Sequence, residues 1–135
     1  MKILLVDDDD GLRSLVAKEL ENRGCDVRQC SGGDEAFYVW QRSVPWELVL
    51  TDYLFFPGAR IENGAQLVIA IHGTNPLQQM AMMTSDPPAA RRNLPKALRH
   101  LPILRKPFRI EQVLRLLRQP VLPLSVCQKA SGRDD

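Results

Sequence analysis

The sequence predicts an α/β fold, a five-stranded parallel sheet doubly wound by helices on both faces. Three features carry that expectation. Five short apolar runs alternate with stretches of helical periodicity, the pattern of repeated strand–helix units. Several runs are continuously apolar rather than alternating, as strands buried on both faces require. Polar residues, several of them acidic, stand at the carboxyl ends of the runs, where open α/β sheets bind their ligands.

The first run, Met1-Lys2-Ile3-Leu4-Leu5-Val6, leads directly into Asp7-Asp8-Asp9-Asp10. Adjacent carboxylates repel one another unless a cation or a proton intervenes. A site for a hard divalent cation is one reading of this cluster. The other is a solvated acidic turn that caps a helix and complements its dipole. After Gly11, the residues Leu12, Leu15, Val16 and Leu20 fall at helical spacing on one face, and Gly24 can end that helix. Asp9 or Asp10 can cap it.

Cys25 to Cys30 alternates and suits an outer strand. Gly32-Gly33 is a turn, and Asp34 to Arg42 reads as a second helix with Ala36, Val39 and Trp40 facing inward. Pro45 breaks it. Glu47 to Thr51 is another buried-strand pattern, with Asp52 at its carboxyl end. Tyr53 to Asn63 reads as a long loop containing Pro57-Gly58. Gly64 to His72 is a third helix, closed by Gly73. Asn75-Pro76 marks a turn, and Met80 to Met83 is a fourth strand ending at Thr84-Ser85. Pro87-Pro88 interrupts the chain, and Ala89 to Arg99 reads as a helix that Pro95 shortens or breaks. Leu101 to Arg105 is a fifth, weaker strand, with Lys106-Pro107 at its end. Ile110, Val113, Leu114 and Leu117 form the inner face of a last helix.

At 135 residues the chain is one domain by size. The strand–helix pattern fills residues 1–119, and 120–135 reads as a tail or linker. No apolar run reaches the roughly 20 residues of a membrane span, and the N-terminus does not read as a signal peptide. These features point to the cytoplasm, where Cys25, Cys30 and Cys127 are expected as free thiols. The net charge is +2, but residues 86–119 hold nine bases against Asp86 and Glu111. Phe108 is the single aromatic among these bases and no nucleic-acid motif is present, so direct nucleic-acid binding is not expected. His72 and His100 lack ligand or acid–base neighbours and read as surface residues. Trp40, Met82 and Met83 read as core.

Placing the strand ends side by side brings Asp7, Asp8, Asp52, Thr84 and Lys106 to one edge of the sheet. Carboxylates can hold Mg²⁺, a carboxylate can attack phosphorus, and Lys and Thr can hold the transferred oxygens. With Val6-Asp7-Asp8, Thr51-Asp52, Met83-Thr84-Ser85 and Lys106-Pro107-Phe108, the sequence resembles the receiver domain of bacterial two-component response regulators from residue 2 to about 118. The resemblance implies a flavodoxin-like strand order, 2-1-3-4-5. It implies that Asp52 is the phosphoacceptor and that Asp8, Asp52 and the backbone carbonyl of Leu54 ligate Mg²⁺. Asp7 would act through a metal-bound water, Lys106 would pair with the phosphoryl group, and Thr84 would hydrogen-bond it. The Lys106–Pro107 bond would be cis. The phosphoryl donor would be a histidine kinase or histidine phosphotransfer protein. The output would be a change in the surface of the fourth helix, fifth strand and fifth helix. The bases from Arg91 to Arg118 lie there, and point to an acidic partner or a homodimer.

Three features depart from the family pattern. The segment from Asp52 through Pro57 to Asn63-Gly64 is longer and carries Arg60 and Glu62. The switch aromatic three residues before the lysine is replaced by Ile103. Leu54, two residues beyond Asp52, offers no polar side chain to an attacking water, so a long-lived phosphoryl state is expected. Two other functions compete. A phosphorylation-independent interaction module would keep the fold alone. A haloacid-dehalogenase-like phosphatase would use Asp8 as nucleophile and Asp10 as acid/base, because Asp8-Asp9-Asp10-Gly11 resembles its Asp-x-Asp-Gly motif. That reading lacks its late acidic motif: after Asp86 the only acids are Glu111, Asp134 and Asp135.

Overall fold

A computed structural model describes residues 1–118, apart from Val44 and Phe56. The elements in chain order are β1 (Lys2–Val6), α1 (Asp10–Asn22), β2 (Asp26–Cys30), α2 (Gly33–Arg42), β3 (Leu48–Asp52) and α3 (Gly64–Thr74). They continue with β4 (Met80–Thr84), α4 (Pro87–Arg92), a 3-10 turn (Lys96–Leu98), β5 (Ile103–Arg105) and α5 (Ile110–Arg118). The strands form one parallel sheet of order β2-β1-β3-β4-β5. Register sets Val6 beside Thr51, Asp52 beside Met83, and Thr84 beside Arg105. The carboxyl ends therefore share one edge.

Alternating side chains divide the core in two. Leu4, Val6, Val49, Met80 and Met82 face α2 and α3 in one cluster, with Ala90 of α4. Ile3, Leu5, Leu48, Leu50, Ala81 and Met83 face α1 and α5 in the other. The middle strands β1, β3 and β4 are buried on both faces, which is why they are apolar throughout. Edge strand β2 alternates exposed and covered residues.

Several boundaries and faces differ from the sequence reading. In α1 the buried residues are Val16, Ala17 and Leu20, with Leu12 partly covered, and Leu15 faces solvent at 57% exposure. Asp9 is the cap, accepting from the Leu12 amide at 3.0 Å. Gly24 supplies the left-handed turn after the helix, with φ +91°. Helix α3 runs through Gly73 to Thr74, with its N-terminus capped by Asn63. Pro87-Pro88 does not interrupt a helix but begins one: Asp86 caps α4, and prolines suit a first turn, whose amides lack intrahelical partners. The helix ends at Arg92, before Pro95. In α5 the buried face is Ile110, Val113 and Leu116, while Leu114 and Leu117 are partly covered. His100 is exposed and His72 half-buried.

Cys25 and Cys30 are free. Burial is the main cause that pushes the Cys30 thiol up to about 11, and the charge of Glu35 adds to it. Such a thiol is poorly reactive. Cys127 and the expected tail lie outside the described residues. Among the described residues no helix is long and apolar enough to cross a membrane.

Candidate phosphoacceptor site

Three carboxylates meet at the carboxyl edge of the sheet. Asp7 and Asp8 leave β1, and Asp52 is the last residue of β3. One ligand oxygen from each lies within 4.8 Å of the others. Asp7 is 2% exposed, Asp52 8%, and Asp8 is half-buried. At an effective dielectric constant near 20, two such charges repel by about 3 kcal/mol. Paired buried anions are tolerated only with a compensating cation or a proton.

Lys106 supplies part of that compensation. It follows β5, whose pairing is extended by its amide donating to the Thr84 carbonyl at 2.8 Å. Its Nζ lies 3.4 Å from Asp7 Oδ2 and 3.2 Å from Asp52 Oδ1. The Lys106–Pro107 bond is cis. Burial works against the ammonium, but the charges of Asp52 and Asp7 outweigh it and raise the Lys106 pKa. Asp52 shows the residual frustration. Burial first, and then the charge of Asp7, pushes its carboxyl up to about 6; Lys106 pulls it down in part, and Asp8 adds to the rise. An oxygen-only donor set with excess negative charge suits a hard divalent cation.

The surrounding backbone holds these groups in place. Asp7 Oδ1 accepts from the Asp9 amide at 3.0 Å, and Arg13 Nη1 donates to the Asp7 carbonyl at 2.7 Å. The Thr51 hydroxyl donates to the Asp52 carbonyl at 2.9 Å. Gly64 approaches that carbonyl so closely that a Cβ would lie 2.2 Å from its oxygen. Thr84, 5% exposed at the end of β4, accepts the Asp86 amide on Oγ1 at 3.1 Å, which leaves its hydroxyl proton free to donate elsewhere. Asp10 is apart from the cluster: its side chain is 83% exposed and paired with Arg13 at 2.8 Å.

The chain matches the model of the response regulator receiver domain over residues 3–118. It belongs to that family. Solved receiver structures share the fold. The chemotaxis protein CheY4 of Vibrio cholerae is 26% identical with a TM-score of 0.73, over 90% of this chain and 98% of that one. The NtrX receiver domain of Brucella abortus is 24% identical with a TM-score of 0.70, over 87% and 99%. The receiver domain of the hybrid histidine kinase CckA is 24% identical with a TM-score of 0.68, over 87% and 100%. No curated protein matches the chain.

The structure thus brings together Asp7, Asp8, Asp52 and Lys106, with Thr84 on the same edge. Leu54 lies just beyond, in the β3–α3 loop, and is 65% exposed. Ile103 is half-buried against the core cluster of α2 and α3. Nearby, Asn93 Nδ2 donates to Tyr53 Oη, joining the residue after Asp52 to the end of α4. The sequence reading missed that link, and it missed Asp34, whose carboxylate holds the β3–α3 loop.

Proposed function

We propose that this receiver domain accepts a phosphoryl group on Asp52 in a Mg²⁺-dependent reaction. The observation that carries the proposal is Lys106 bridging Asp7 and Asp52 within a cluster of three carboxylates. Mg²⁺, held by Asp8, Asp52 and the Leu54 carbonyl with Asp7 acting through water, would neutralise charge on the transferring oxygens. An Asp52 carboxylate oxygen attacks phosphorus. The new O–P bond forms as the donor's N–P bond breaks, and the donor imidazole leaves with a proton. Lys106 compensates the charge that arrives, and Thr84 donates its hydroxyl proton to a phosphoryl oxygen. Moving Thr84 toward the phosphoryl group disturbs its bond to the Asp86 amide, and so the cap of α4.

Receiver domains interact with histidine kinases and phosphotransfer proteins. We assign this chain a donor of that kind in a cytoplasmic two-component pathway or phosphorelay. Residues 1–119 serve as the receiver and 120–135 as a tail or linker. The α4–β5–α5 surface, with Arg91, Arg92, Arg99 and Arg105 exposed, would meet an acidic partner or a second copy. Native mass spectrometry with and without beryllofluoride tests the second copy.

Incubation with acetyl phosphate and Mg²⁺, followed by intact-mass spectrometry, tests the proposal. The wild type should gain one phosphoryl group, and Asp52→Asn and Asp8→Ala should gain none. No gain in the wild type would favour an interaction module instead. The phosphatase reading is disfavoured by Asp10, which stands outside the carboxylate cluster and is engaged with Arg13.

A further inference from the structure

The β3–α3 loop, which the sequence reads as longer than the family pattern, is held at two places among its described residues. At its base the Tyr53 amide donates to the Met83 carbonyl at 2.9 Å, and the Gly64 amide donates to the Tyr53 carbonyl at 2.7 Å. Its far side is clamped to the start of α2. There the Asp34 carboxylate accepts the backbone amides of Ala59 at 2.8 Å, Arg60 at 3.3 Å to each oxygen, and Ile61 at 2.8 Å. These amides, Ile61's above all, hold the Asp34 carboxyl below its usual pKa. Phe55 and Ile61 are buried and press on Gly33. A Cβ at Gly33 would lie 2.3 Å from Ile61 Cγ2 and 3.0 Å from Phe55 Cε1. Gly58 is also close to the clamp: its Cβ would lie 2.7 Å from Asp34 Oδ2.

Phe55 follows Leu54 directly, so whatever seats Phe55 also limits where the Leu54 carbonyl can go. A ligand on a wandering loop must be ordered when an ion binds, and that ordering weakens affinity. A loop already fixed avoids the cost. We propose that Gly33 and Asp34 form a receptacle that fixes Phe55 and residues 59–61 and so positions the Leu54 carbonyl beside Asp7, Asp8 and Asp52. Asp34 is then a positioning residue for metal binding. The inference rests on the Mg²⁺-dependent reading of the site.

The test is a Mg²⁺ titration by calorimetry on the full chain, with hydrogen exchange of the metal-free protein alongside. Asp34→Ala should weaken Mg²⁺ binding about tenfold, the low end for groups that hold metal ligands in place. It should also speed exchange at the Ala59 and Ile61 amides. Asp34→Asn keeps one acceptor oxygen and should fall between, and it carries the same comparison if the alanine variant does not fold. Unchanged Mg²⁺ affinity in a folded Asp34 variant overturns the positioning role and leaves the site reading standing. A wild type that binds no Mg²⁺ overturns both.

Discussion

Replacing Asp52 by Asn should stabilise the metal-free protein at neutral pH, although it removes a partner of Lys106. Asp52 is buried beside Asp7 and Asp8, and its carboxyl is pushed up to about 6 in the fold. In the unfolded chain it returns to 3.8. Below that value both states are protonated and the group contributes nothing. Between the two values the folded state binds the extra proton, so stability falls as pH rises. Above about 6 the penalty is complete, at most about 3 kcal/mol given about 1.4 kcal/mol for each tenfold change in proton affinity. Asn removes the charge but leaves a polar group that needs partners and leaves Lys106 with Asp7 alone, so a net gain of about 1–2 kcal/mol is expected. Urea unfolding in EDTA, followed by tryptophan fluorescence, reads it directly. The gain should be largest at about pH 7–8 and shrink toward about pH 4–5, a window that follows from the folded and unfolded proton affinities. An Asp52→Asn variant less stable than wild type at neutral pH, or a difference that ignores pH, would refute the reasoning.

Other perturbations have equally defined outcomes. Asp9→Ala removes the cap on the Leu12 amide and should cost about 0.5–2 kcal/mol in urea unfolding; Asp10→Ala, which loses only an exposed ion pair with Arg13, should cost less than about 1 kcal/mol. Gly64→Ala forces a Cβ against the Asp52 carbonyl; it should destabilise by at least about 1–3 kcal/mol and also slow phosphorylation by acetyl phosphate. On the proposed reading of Asp52 as phosphoacceptor, Leu54→Asn offers an attacking water a polar side chain two residues beyond it, and should shorten the phosphoryl lifetime in a purified dephosphorylation assay. A wild-type lifetime of seconds would contradict the role given to Leu54.

The sheet was legible because β1, β3 and β4 are buried on both faces and so are apolar without interruption. The site was legible for a related reason. Parallel strands end on one edge, so polar residues that follow apolar runs gather there: Asp7, Asp8, Asp52 and Lys106 meet, and Thr84 ends β4 on the same edge. Local rules failed where two neighbouring signals compete. Pro87-Pro88 read as a break, yet Asp86 immediately before them is a cap, and a capped double proline starts a helix. Leu15 and Leu116 show the limit of periodicity: an apolar stripe wide enough for two faces does not say which residues meet the sheet. Asp34 was out of reach altogether. Its partners lie 25–27 residues away in the loop, and nothing local to Gly33-Asp34 announces them.

The central claim is that Asp52, and no other carboxylate of the cluster, carries the phosphoryl group. Borohydride reduces an aspartyl phosphate to homoserine, which peptide mapping can place. After treatment with acetyl phosphate and Mg²⁺, homoserine should appear at position 52 alone. Homoserine at position 8 would contradict the claim and revive the phosphatase reading.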